Sequence, residues 1–211
     1  MLKIETFNLF PELGTNTWLL WDEDSREAFL IDPAASSDIL LARIRELGLR
    51  VALIINTHGH GDHIGGNDWF KQALGAKVLI HAADATMLTD NRKNFSEFLG
   101  QAYILGPPDI LAEDGLMLKI GAHSVRVIHT PGHTPGCICL LADKFLISGD
   151  TLFELSIGRT DFPGGNHAQI VDSIRHKLFT LPDDTVVFPG HGPRTSIGME
   201  KKNNPFVRPL A

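Results

Sequence analysis

The chain has 211 residues, with 19 Lys and Arg against 25 Asp and Glu, a formal net charge of -6 and a hydrophobic share of 43%. That length and composition supply a sizeable core without covalent staples, and the negative balance argues against a long polyanion such as DNA as the main partner. The opening MLKIETFNLF mixes Glu5 and Asn8 into its apolar positions, so it lacks a secretory core and cleavage site, and the apolar run at 51–55 is far too short to cross a bilayer.

Residues 3–7, 16–21 and 28–31 read as strands, rich in Leu, Ile, Phe and Trp and separated by Pro11, Gly14, Asp22 and Asp24. Ser36 or Ser37 caps a helix running to Leu47, with Ile39, Leu40, Ile44 and Leu47 at helical spacing and Gly48 ending it. A strand at 51–56 leads through a polar loop into a helical pattern carried by Trp69, Phe70 and Leu74 that stops at Gly75. A short strand at 77–81 and a helix at 82–89 follow, and residues 90–110 show no strong period. Short strands return at 116–120, 124–128, 137–142 and 145–148; a helix at 167–179 then precedes a strand at 185–188. This order predicts two sheets sandwiched between helices. No repeat, low-complexity tract or linker divides it, so one domain over 1–211 is expected. The two cysteines, Cys137 and Cys139, fall on one face of a strand in a spacing that fits no zinc knuckle. They read as inert buried thiols, and the missing disulfide scaffold fits a cytoplasmic protein.

The segment Thr57-His58-Gly59-His60-Gly61-Asp62-His63 places three histidines and an aspartate at the exit of a buried strand. In extended chain, positions two apart point the same way, so His58 and His60 can reach one ion together while Asp62 and His63 turn toward a second position. His133 in Thr-Pro-Gly-His, Asp150 in Ser-Gly-Asp-Thr and His191 in Pro-Gly-His-Gly also follow an apolar strand and a glycine. Strand ends are rigid and glycine permits tight turns, so four such ends can aim ligands at one rim. Imidazole and carboxylate without thiolate suit Zn, Fe or Mn at a site with open positions.

His-x-His-x-Asp-His followed by single His, Asp and His at later strand ends resembles the metallo-β-lactamase superfamily, over nearly the whole chain. The resemblance implies an α/β, four-layer αββα sandwich of two mixed sheets flanked by helices. It also implies two divalent ions, with zinc first and Fe or Mn as alternatives: His58, His60 and His133 on one, Asp62, His63 and His191 on the other, and Asp150 bridging both. Asp32, in Leu-Ile-Asp-Pro, matches a motif aspartate that supports the metal loop through hydrogen bonds, or simply closes a turn before Pro33. His81, His123, His129, His167 and His176 match no ligand position.

Gly149-Asp150-Thr151-Leu152-Phe153 and Ile157-Gly158-Arg159 resemble the glyoxalase II branch, and the family's glutathione-contacting lysine is Arg159 here. Arg159 is therefore expected to bind substrate, offering a planar fork to a carboxylate. The family's contacting tyrosine is Asp161, and only 20 residues follow His191, too few for the helical domain that completes the pocket in full-length glyoxalase II. The resemblance thus implies a short, single-domain thioester hydrolase acting on a small molecule such as S-lactoylglutathione. Its attacking hydroxide would lie between the ions, with Asp62 orienting it. Gly158-Arg159-Thr160-Asp161-Phe162 is also similar to a run in mononuclear-iron persulfide dioxygenases, the alternative reading, whereas Gly-His-Gly-Pro around His191 is similar to the hydrolases. A lactonase and a non-catalytic metal-binding domain are the remaining readings. The closing stretch is expected to pack beside the metal rim, tied down by Glu200 and Asn204.

Overall fold

The computed structural model describes residues 1–208. Six strands form the first sheet in sequence order: β1 (Leu2–Phe10), β2 (Thr15–Asp22), β3 (Glu27–Ile31), β4 (Arg50–Ile55), β5 (Lys77–His81) and β6 (Ile110–Ala112). The first three pair antiparallel and the rest parallel. The second sheet takes β7 (Met117–Ile120), β8 (His123–His129), β9 (Ile138–Ala142) and β10 (Phe145–Gly149), while β11 (Leu152–Phe153) and β12 (Ser156–Ile157) make a separate small hairpin. It is completed by β13 (Val186–Pro189), parallel to β10, and β14 (Thr195–Ser196), antiparallel to β13.

Period-two alternation builds the layers. In β2, Trp18 and Leu20 enter the core between the sheets, with Phe29, Ile31, Val127, Leu140 and Phe188, whereas Leu19 and Trp21 face outward. That outer face is covered by α1 (Asp38–Glu46) and α3 (Asn67–Leu74), through Leu40, Ile44 and Phe70. The outer face of the second sheet is covered by α4 (His167–Ser173) and α5 (Ile197–Asn203), through Ile170 and Ile197. The result is the four-layer αββα sandwich with two mixed sheets.

Local chemistry explains most boundaries. The Ser37 hydroxyl accepts from the Leu40 amide at 3.2 Å and Gly48, at φ 62°, terminates α1, as expected. The single helix expected beyond the polar loop is divided into α2 (Gly61–Ile64) and α3, because Gly65 and Gly66 lie against the backbone of residues 33–35, with no room for a side chain. The expected helix at 82–89 is a six-residue 3₁₀ helix, Ala82–Met87, and the helix beginning at His167 widens into π turns over Ile174–Leu178. Strand β6, the β11–β12 hairpin, β14 and α5 were not anticipated as elements; each is too short or too weakly patterned to register alone. Among the described residues no helix is long and apolar enough to cross a membrane. Both cysteines are buried and free, and burial pushes their thiols upward, that of Cys139 to about 11.

Candidate metal centre

The carboxyl ends of β4, β8, β10 and β13 deliver the sequence-predicted residues to one rim. His58 and His60 lie between β4 and α2, Asp62 and His63 lie in α2, and His133, Asp150 and His191 follow β8, β10 and β13. All seven converge. The donor atoms of His58, His60 and His133 lie within 4.8 Å of one another, as do those of Asp62, His63 and His191. A third grouping of His58, His63 and Asp150 meets the same limit, which sets Asp150 between the other two.

Hydrogen bonds from the back of the His58, His63, His133 and His191 rings fix which nitrogen faces inward. His133 Nδ1 donates to the Arg159 carbonyl at 2.7 Å and His191 Nδ1 to the Leu13 carbonyl at 3.1 Å; carbonyls only accept, so both protons sit on Nδ1. His63 Nδ1 donates to Asp32 Oδ2 at 3.1 Å. The Thr57 hydroxyl donates to the same carboxylate oxygen at 2.6 Å and therefore accepts from His58 Nδ1 at 3.1 Å. Four Nε2 lone pairs are thereby turned into the cluster, and His60 contributes Nδ1, 2.9 Å from His133 Nε2. His58 Nε2 and Asp150 Oδ1 are buried without any hydrogen-bond partner. An orphaned imidazole nitrogen and an orphaned carboxylate oxygen in a set of hard and borderline donors fit divalent transition ions.

The charges agree with that fit. Burial disfavours the imidazolium of His63 and His191, but Asp62 and Asp150 outweigh it and raise their pKa values to about 9 and about 11. Desolvation and neighbouring imidazoles push His58 down and His60 to about 3. Burial alone would raise the carboxyls, yet the His63 charge and the His191 hydrogen bond hold Asp62 at about 2 and Asp150 far below the usual range. The pocket therefore attracts positive charge while keeping the His58 and His60 imidazoles uncharged.

Several supports were not evident from the sequence. Buried Asp84 accepts from the Gly59 amide at 3.1 Å, the Thr134 hydroxyl at 2.6 Å and the Gly136 amide at 2.7 Å, latching the His58–His60 loop to the His133 loop. No motif singles it out from other helical-looking positions. Thr15 donates to Asp62 Oδ2 at 3.2 Å, and Trp18 Nε1 and Asn16 Nδ2 each donate to the Pro189 carbonyl at 3.1 Å, binding the start of β2 to the His191 loop. Gly190 must lack a side chain, since a Cβ there would lie 2.1 Å from Asp150 Oδ1. Asp32 takes the supporting role: besides His63 and the Thr57 hydroxyl it accepts the Thr57 amide at 2.7 Å. Glu200 accepts from Leu155, Thr195 and Asn204, tying α5 beside the β11–β12 hairpin.

The cluster floors a cavity of about 660 Å³ with Phe95, Phe98, Phe153, Ile157, Arg159 and Phe162 on its walls. Arg159 is at its edge, but the fork expected to stay free is taken: Nε and Nη2 each bond Asp161 at 2.7 Å. The guanidinium carbon lies 3.8 Å above the Phe162 ring.

Comparison with known proteins agrees with this architecture. Residues 10–191 match the family model described as the metallo-beta-lactamase superfamily. The hydroxyacylglutathione hydrolase GloC of Haemophilus influenzae is 38% identical over 202 residues, covering 91% of this chain and 92% of its own. Among solved structures, the BLEG-1 B3 metallo-beta-lactamase superposes with a TM-score of 0.91 at 36% identity, over 97% of this chain and 99% of that one. TTHA1623 in a di-iron-bound form superposes with a TM-score of 0.85 at 33% identity, over 96% and 100%. The chain belongs to the metallo-beta-lactamase superfamily.

Proposed function

We propose that this chain is a metal-dependent hydrolase of the glyoxalase II type, which cleaves a thioester and water into a carboxylic acid and a thiol. The observation that carries this reading is the anchored cluster with its unpartnered His58 Nε2 and Asp150 Oδ1 beneath a cavity sized for a small molecule. The relative named a hydroxyacylglutathione hydrolase supports the reaction class.

In this reading His58, His60 and His133 hold one divalent cation, Asp62, His63 and His191 a second, and Asp150 both; zinc is the first choice and iron or manganese the alternatives. Bound there, the pair supplies an acidified water, its pKa brought toward ~7, and Lewis-acid polarisation of the carbonyl. The chain's residues do the rest. Asp62, held by the Thr15 hydroxyl, accepts a hydrogen bond from the attacking water and orients it. Asp32 and the Leu13 and Arg159 carbonyls keep the imidazoles in the tautomer that exposes Nε2. Arg159 contacts substrate as part of the wall, flattened on Phe162. Sheets sharing one core support a single domain over the chain, and buried free thiols support a cytoplasmic setting. The partner is a small-molecule thioester rather than nucleic acid or membrane.

The test is to incubate metal-loaded protein with S-lactoylglutathione, other acyl thioesters, a lactone and glutathione persulfide, recording thiol release beside dissolved oxygen. Thiol release without oxygen uptake is expected. Oxygen uptake without thioester cleavage would replace the hydrolase with the persulfide dioxygenase.

A further inference from the structure

The aromatic wall carries a strain that metal binding does not explain. Phe95 has φ 60°, in the left-handed region that bulky side chains avoid, and such a conformation persists only where its surroundings over-determine it. Buried Asn94 does so. Its Nδ2 donates to the Met87 carbonyl at 2.8 Å and the Tyr103 carbonyl at 2.9 Å, its Oδ1 accepts the Ser96 amide at 3.0 Å, and its own carbonyl accepts the Gly61 amide at 2.7 Å. The segment is thus pinned to the loop bearing His60 and Asp62. The Phe95 ring is held 5.4 Å from the His60 ring and 4.9 Å from Phe162, and Phe98 extends the row 6.1 Å further outward.

This row forms one wall of the cavity above the cluster, with Phe153 and Ile157 lining the same cavity. Arg159 is the sole Lys or Arg lining it among the described residues, and Asp161 cancels its charge with two hydrogen bonds. Arg92 and Lys93 line a separate, smaller cavity that also borders Phe95. A tripeptide thiol with two carboxylates would lose water here and find no free side-chain cation. An aryl or alkyl group would cover the phenyl rings and gain from their burial.

We infer that the cavity selects thioesters with an aromatic or long apolar acyl group on an uncharged thiol, and that Phe95 is the residue that selects the acyl group. This rests on the thioesterase reading and narrows it.

Four substrates test it: lactoyl and phenylacetyl esters, each of glutathione and of N-acetylcysteamine. Phenylacetyl is expected to exceed lactoyl in kcat/KM by about tenfold or more, with glutathione conferring no advantage. Phe95→Asn, which tolerates the left-handed backbone, should bring that ratio toward one. Phe98→Ala, at a position 84% exposed, should lower it without disturbing the core. Asp161→Ala, also exposed, should release the Arg159 fork and give the glutathione esters an advantage they lack in the parent. Lactoylglutathione leading by tenfold in the parent, or a ratio indifferent to both phenylalanine changes, would overturn the inference. Calorimetric titration of the metal-loaded protein with S-benzyl-N-acetylcysteamine and with S-methylglutathione separates it from the reaction itself. If no ester is cleaved but the benzyl thioether binds more tightly, the cavity's preference stands and the hydrolase reading falls. Tighter S-methylglutathione binding removes the preference alone.

Discussion

Replacing Asp32 by asparagine changes one atom in a buried position and should disable half of the metal centre. Asp32 is fully buried at φ 50°, a conformation asparagine adopts readily, so the backbone has no reason to move. Its Oδ1 accepts the Thr57 amide, while Oδ2 accepts both the Thr57 hydroxyl at 2.6 Å and His63 Nδ1 at 3.1 Å. With the amide oxygen kept on the Thr57 amide, the new NH₂ faces two donors. His63 can relieve the conflict by accepting at Nδ1 and moving its proton to Nε2, which removes the lone pair facing Asp62 and His191. Loss of a partner of this kind weakens metal binding by about 10- to 100-fold. Competition titrations with a chromophoric chelator should therefore show the ion at Asp62, His63 and His191 weakened by that factor, with a smaller loss at the other, where the Thr57 hydroxyl that receives His58 Nδ1 also loses its carboxylate acceptor. Circular dichroism would verify the fold. Two ions bound with parental affinities would refute the role of the Asp32 hydrogen bond in setting the His63 tautomer.

Asp150→Ala is expected to abolish thioester hydrolysis and lower metal content, since its oxygens lie near both histidine groupings; unchanged turnover would contradict the bridging assignment. Gly190→Ala would place a carbon 2.1 Å from Asp150 Oδ1 and 2.9 Å from His63 Cε1, displacing both. A shift of about 1 Å costs on the order of 100-fold in rate, so parental kcat/KM and metal content in this variant would be contrary evidence. Asp62 and Asp150 raise the pKa values of His63 and His191 against burial, and with their Nε2 atoms 3.2 Å apart the pair holds a proton between them at neutral pH before a cation arrives. Loading must then expel that proton, and affinity should rise with pH across the neutral range; calorimetry in buffers of different ionisation enthalpy should register net proton release, and a buffer-independent heat would contradict it.

The convergence of the seven rim side chains was legible because its signal is local. Each of His58, His133, Asp150 and His191 follows an apolar strand, and the short apolar runs of β4, β8, β10 and β13, bounded by turn residues, reveal those strands without knowledge of the partner sheet. Asp32 was legible as a position, but its choice between supporting the loop and closing a turn depended on Thr57 and His63, distant in sequence. Asp84 and Phe95 lay beyond reach for the same reason. Asp84 acquires its role only when three groups 25 to 52 residues away arrive around it, and the backbone of Phe95 is dictated by Asn94 and its acceptors within a stretch lacking any period. Arg159 shows the converse: its residue type suggested a free fork, whereas the turn after β12 folds Asp161 onto it.

The central claim is that two cations share the rim built by β4, β8, β10 and β13. The direct measurement is elemental analysis of protein isolated without chelators, followed by stripping and retitration with zinc, iron and manganese. The account expects about two divalent ions per chain, restored after stripping together with thioesterase activity. Protein that carries no transition metal as isolated, and takes up none on retitration, would contradict it.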